Sequence, residues 1–176
     1  MTGEHDTTLG ALQTAIRMEI DGKEFYQKAG KASRNELGKK LLERLAVEED
    51  GHRMVFEGIY KSIGAKKGWP EKAFTADRGR GLKTVFAEAM EAMDRNVQPA
   101  GTELDAIQTG MTMENKTYDY YKSRSRVAAY TAEKQFYEEV AMQEEEHYRI
   151  LMDYYEFLKN PADWFLRKER HSLDGG

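Results

Sequence analysis

The chain has no cysteine among its 176 residues. That excludes disulfides, cysteine-ligated zinc and any thiolate-held iron centre, and it fits a reducing compartment, so a cytoplasmic protein is expected. Proline is scarce: only Pro70, Pro99 and Pro161 occur, and all three fall outside the strong periodic patterns, where their rings would break a helix. No apolar run approaches the roughly 20 residues needed to cross a bilayer. The opening MTGEHDTTLG has neither the basic start nor the apolar stretch of a secretory signal, so no membrane association is expected. Lys and Arg nowhere form a block, and the formal net charge is only −4, which argues against a nucleic-acid partner. Alternating β-branched runs are few, so little in the chain suits a sheet.

What is present is helix. Charged residues make up 33% and hydrophobic residues 40%, a balance that suits a soluble all-α protein, and the length suits one domain over 1–176 with a real core. Leu9, Leu12, Ile16 and Tyr26 flag a first helix over 7–31. Ser33-Arg-Asn-Glu36 has capping-box spacing and opens a second that runs to about residue 63. Residues 64–81, rich in Gly and Lys/Arg, read as a connection, and 82–96 as a shorter amphipathic helix carrying Val85, Phe86, Ala89, Met90 and Met93. Thr102-Glu-Leu-Asp105 starts a third long helix to about 127, and a fourth spans 131–159. Asn160-Pro161 then pairs a cap residue with a proline at the first helical position, for a short final helix to about Arg170.

Two of these helices show their inner seam. Alternating steps of three and four pick out Leu42, Leu45, Glu49, His52, Phe56, Ile59 and Ile63 in the second, and Tyr137, Val140, Glu144, His147, Leu151, Tyr154 and Leu158 in the fourth. Each stripe is apolar at both ends with a Glu and a His in the middle, the face a helix turns into a bundle. Glu145 and Glu146 rotate off that face towards water. The halves of the chain, 7–63 and 102–159, also repeat at a constant offset of 95 residues, which relates Glu19 to Glu114, Glu49 to Glu144 and His52 to His147. Residues 11–30 and 41–60 match their mates at eleven of forty positions, against about two or three by chance. Two helix hairpins closing into one four-helix bundle is the architecture this implies, with 64–101 as the connection and 160–176 as a tail.

Glu49 and His52 share a helix face, as do Glu144 and His147. Glu19 lies between Ile16 and Tyr26 on the first helix, and Glu114 between Met111 and Tyr121 on the third. Four carboxylates and two imidazoles thus point into one core, with no Lys or Arg on the two seams to neutralise them. Alone, one Glu-x-x-His is common, and acidic runs are usually solvated helix faces. Here two such pairs and two isolated seam glutamates obey one offset. Uncompensated, they would repel and lose hydration. Two divalent cations would cancel their formal −4, and mixed oxygen and imidazole ligation suits iron or manganese, alone or mixed, better than calcium or magnesium.

The stretches EIDGKEFY (19–26), EEDGH (48–52), ENKTYDYY (114–121) and EEEH (144–147) resemble the ferritin-like di-iron carboxylate superfamily, and within it the rubrerythrin-like group. The resemblance covers nearly the whole chain. It implies a ferritin-like bundle with two iron ions, Glu19 and Glu114 as terminal ligands, Glu49 and Glu144 bridging, and His52 and His147 each capping one ion. Two features depart from that group. The position three residues after Glu114, where its members typically carry another Glu, is Thr117, and its repeat mate is Gly22. A cysteine-ligated rubredoxin domain is also excluded. The site is therefore expected to be nearly two-fold symmetric, with space beside Gly22 and Thr117.

The first functional reading is a redox enzyme reducing hydrogen peroxide or oxygen with electrons from a separate donor protein. The alternatives are a ferroxidase that handles or stores iron, and a helical scaffold with a structural metal. A homodimer is expected, its contact surface on 82–96, with 64–81 a candidate hinge for exchanging hairpins between chains. Tyr26 and Tyr121 are expected to bond carboxylates from the core. His5 and His171 are expected at the surface, Trp69, Trp164 and Phe165 to pack the connection and tail onto the bundle, and the nine methionines to fill core gaps.

Overall fold

The computed structural model describes residues 2–70, 80–84 and 101–164, with side chains from residue 7 onward. Four long helices dominate: α1 (Thr2–Ala32), α2 (Glu36–Gly64), α3 (Gly101–Val127) and α4 (Thr131–Lys159). The fold is an all-α four-helix bundle. Helix α1 packs along α2 and α3 along α4, and α1 also crosses to α3. Helices α2 and α4 approach each other more sparsely, because the side chains of Glu49, His52, Glu144 and His147 stand between them. Among the described residues no helix is long and apolar enough to cross a membrane.

The seams read from the sequence are the buried faces. Every position of both stripes is buried. They divide the core into two apolar clusters. One gathers Tyr26, Leu41, Leu42, Leu45, Ile107, Leu151, Tyr154 and Phe157; the other gathers Leu12, Phe56, Ile59, Tyr121, Phe136, Tyr137 and Val140. Each fully buried Leu, Ile or Phe contributes about 1.5–3 kcal/mol. This two-sided apolar packing holds a layer of polar groups between the clusters that could not support itself.

The ends differ from expectation in instructive ways. Helix α1 begins earlier than residue 7, and α3 already begins at Gly101, so Thr102 lies inside its first turn. The cap of α2 is Asn35, whose side chain accepts from the Leu37 N–H at 2.9 Å, and not Ser33. Ser33 Oγ instead donates to Glu103 Oε1 at 2.6 Å, where the Tyr154 hydroxyl also donates at 2.7 Å. A buried carboxylate with two donors outcompetes a solvent-facing capping bond. Asn160 caps 161–164 as expected, its side chain accepting from the Asp163 N–H at 3.3 Å. Leu82, in the helical residues 80–84, is buried against the first cluster. The remainder of the 82–96 helix, and the tail with Phe165 and His171, lie outside the described residues. Trp69 packs on Phe136 and Tyr137, and Trp164 on Phe157, as expected. Most methionines do not fill the core: of those described, Met18, Met111 and Met113 are half-buried and Met54, Met142 and Met152 exposed. Met111 packs against the first cluster; the exposed ones rotate off the seams, which Leu, Ile, Phe and Tyr already occupy.

Gly38 is required where it stands. A Cβ there would collide with the Tyr154 hydroxyl and lie 2.5 Å from Glu103 Oε1 and 2.8 Å from Ser33 Oγ. Gly38→Ala is expected to destabilise by about 2–4 kcal/mol, combining overpacking with disruption of a buried polar trio. Gly58→Ala, at an exposed helical position with open space around it, is expected to stabilise by about 0.5–1 kcal/mol. Urea denaturation of the two variants checks both; equal effects would remove the steric argument.

Candidate metal centre

Each long helix delivers its polar side chains to the same layer: Glu19 from α1, Glu49 and His52 from α2, Glu114 from α3, Glu144 and His147 from α4. All six are at most 3% exposed. They form two overlapping groups, Glu19–Glu49–His52–Glu144 and Glu49–Glu114–Glu144–His147. Within each group one ligand atom per residue lies within 4.8 Å of the others, and Glu49 and Glu144 belong to both. His52 Nδ1 sits 3.2 Å from Glu19 and 3.2 Å from Glu144. Related by the repeat, His147 Nδ1 sits 3.2 Å from Glu49 and 3.5 Å from Glu114. The two imidazoles lie nearly parallel, 13° apart in plane with centroids 5.6 Å apart.

The electrostatics are those of a core short of positive charge. Burial pushes the Glu49 carboxyl well above its usual range, and the charges of Glu144, Glu19 and Glu114 push it further. Burial also raises Glu114 to about 7, against the pull of the His147 charge. Burial would raise Glu144 too, but the hydrogen bond and charge of His52 hold it down at about 2. Both histidines rise well above 6.5 despite burial, drawn up chiefly by Glu19 at His52 and by Glu114 at His147. Protons therefore supply the countercharge that a cation would otherwise supply.

The donor set fits a pair of cations. Glu49 Oε1, Glu114 Oε2, Glu144 Oε1 and His147 Nδ1 are buried and make no hydrogen bond of proper geometry, and these four residues are one of the two groups whose ligand atoms lie within 4.8 Å of one another. Buried polar atoms are almost always satisfied, and four unpaired polar atoms facing one another suit a cation once their protons leave.

A family model described as rubrerythrin matches residues 10–155. The chain belongs to the rubrerythrin family. Searches of curated proteins and of solved structures return no match. The ferritin-like cluster of glutamates and histidines in this rubrerythrin-family chain is consistent with a di-metal redox site.

Around this rubrerythrin-type cluster the tyrosines do what the sequence implied, but across the bundle. The Tyr26 hydroxyl on α1 donates to Glu114 on α3, and the Tyr121 hydroxyl on α3 donates to Glu19 on α1. Glu145 and Glu146 turn outward to Arg149 and Lys83, as expected. The space anticipated beside Thr117 is filled: its hydroxyl donates to Glu144 Oε2 at 2.7 Å. Its repeat mate Gly22 offers no such bond, and a Cβ there would come within 3.2 Å of Glu49 Oε2. One shared carboxylate thus accepts from a hydroxyl and its mate has no such donor at Gly22, so the cluster is less symmetric than its six residues suggest. The side chain of His5 lies outside the described residues. Sequence reading also passed over Glu48, which sits against His147. The available signal was its place beside Glu49 and its repeat mate, Gln143.

Proposed function

We propose that the chain is a di-iron oxidoreductase that reduces hydrogen peroxide or oxygen with electrons from a separate donor protein. The observation that carries this reading is the pair of overlapping ligand groups sharing Glu49 and Glu144. In this reading Glu19 and His52 serve one ion, Glu114 and His147 the other, and Glu49 and Glu144 both. Oxygen and imidazole donors without thiolate favour iron or manganese. A pair of ferrous ions, if bound by these residues, would supply the two electrons that, with two protons, convert one hydrogen peroxide to two waters. The protein's part is positioning and exclusion. Tyr26 and Tyr121 fix the terminal carboxylates from opposite helices, Thr117 fixes one shared carboxylate, and the apolar clusters on both sides limit bulk water.

The test is stopped-flow mixing of iron-loaded, chemically reduced protein with hydrogen peroxide or with oxygen, following the ferric charge-transfer absorbance. The expected result is one rapid oxidation per reduction, with sustained peroxide consumption only after a donor is added. Faster reaction with peroxide supports the proposal. Faster reaction with oxygen followed by ferric iron release supports iron handling instead. No spectral change within minutes leaves a structural metal as the better account.

A further inference from the structure

Glu48 and Gln143 are repeat mates, each directly preceding a shared glutamate. They meet across the bundle: Gln143 Nε2 donates to Glu48 Oε2 at 2.9 Å. The same Glu48 oxygen lies 3.1 Å from His147 Nε2. An imidazole that binds a cation is neutral, with one N–H and one lone pair. The carboxylate takes the N–H at Nε2, which leaves the Nδ1 lone pair aimed at Glu49 and Glu114. A carboxylate acceptor also raises the donor strength of the opposite ring nitrogen, which a neutral amide does less.

The repeat relates His147 to His52 and Glu48 to Gln143. The position that carries a charge on one side of the bundle therefore carries a carboxamide on the other. Arg44 Nε pairs with Glu48 Oε1 at 2.9 Å, but its side chain is 41% exposed, so solvent screens it. It leaves the Oε2 contact with His147 in place. Glu48 itself is half-buried, its side chain 8% exposed.

We infer that Glu48 is a positioning residue that makes the two cation positions unequal, so that the one formed by Glu114 and His147 binds a divalent cation more tightly and fills before the one formed by Glu19 and His52. This rests on the two-cation reading proposed above. It also gives the Glu48/Gln143 difference a role: one fold with internal symmetry acquires a first and a second metal position through a single oxygen-for-nitrogen exchange.

The test uses the full chain, stripped of metal and titrated without oxygen with Co(II), read by its visible absorption and by calorimetry. The expected wild-type result is two cations per chain in two steps separated by at least about tenfold in affinity. His147→Ala should remove the tighter step and His52→Ala the weaker. Glu48→Gln should weaken the tighter step by about 10–100-fold and merge the two. Two equal steps in the wild type, or a Glu48→Gln variant with unchanged steps, would overturn the inference while leaving the two-cation reading intact. A stoichiometry other than two would overturn that reading instead. If Glu48→Gln does not fold, as judged by circular dichroism, the two histidine variants decide the question alone: equal effects on the two steps would refute it.

Discussion

Replacing Glu144 or Glu49 with alanine is expected to abolish binding of both cations, whereas Glu19→Ala should weaken only one. The asymmetry follows from membership: Glu49 and Glu144 belong to both ligand groups and Glu19 to one. A cation at about a thousand times its dissociation constant stabilises the folded state by about 4 kcal/mol. Two such cations should raise the melting temperature of a chain of this size by roughly 15–30 °C. That increment should vanish in Glu144→Ala and Glu49→Ala. Metal-free Glu49→Ala should melt no lower than metal-free wild type, because removing a carboxyl pushed up by its neighbours relieves repulsion, whereas metal-free Glu144→Ala should melt lower, because His52 and Thr117 lose their buried partner. Thermal melting with and without Mn(II), alongside metal analysis of the purified protein, checks both halves. Two cations still bound by Glu144→Ala would remove the shared-ligand assignment.

Metal removal is also expected to reverse how stability depends on pH. Glu114 rises from 4.5 to about 7 on folding, with burial the largest cause, and Glu49 is raised as well. Their stabilising contribution is complete below 4.5 and is lost as pH rises through the folded value. His52 and His147 are raised above 6.5, so their contribution is complete below 6.5 and is lost at higher pH. Glu144, held down at about 2, contributes above 4.5 and loses that contribution only as pH falls towards 2. Between pH 5 and 8 every changing contribution therefore has the same sign, and metal-free protein should lose roughly 5 °C or more of melting temperature as pH rises. Cation binding needs the same groups deprotonated, so cation-loaded protein should gain stability over that interval. A metal-free melting temperature that rises from pH 5 to 8 would show that the buried carboxyls are not held protonated.

The Glu-x-x-His pairs could be read from the sequence because helical spacing is local. Three residues apart on a helix means one face, whatever the rest of the fold does. The apolar residues flanking each pair, such as Leu45 and Phe56 or Val140 and Leu151, then require that face to be inside. The offset of 95 residues added what one helix does not contain: the two pairs belong to matching hairpins, and Glu19 and Glu114 are their counterparts on the partner helices. So the sequence by itself determined the four long helices, the bundle and the six polar residues that the fold brings together.

Only the tertiary structure decided how those six are supported. That Tyr26 serves Glu114 and Tyr121 serves Glu19 depends on how far α1 is rotated and shifted against α3, which no spacing within a helix specifies. Ser33 turned from capping α2 to holding Glu103, a residue 70 positions away, because a buried carboxylate needs donors more than an exposed helix end does. Glu48 lies beside Glu49 in sequence, about 100° around the helix from it, at the rim of the seam where a side chain can face water or core. The approach of His147 and Gln143 from α4 turned it inward. Periodicity fixes the direction of a side chain only relative to its own helix axis. Which partner it meets is set by packing between helices, and there the repeat broke its own symmetry.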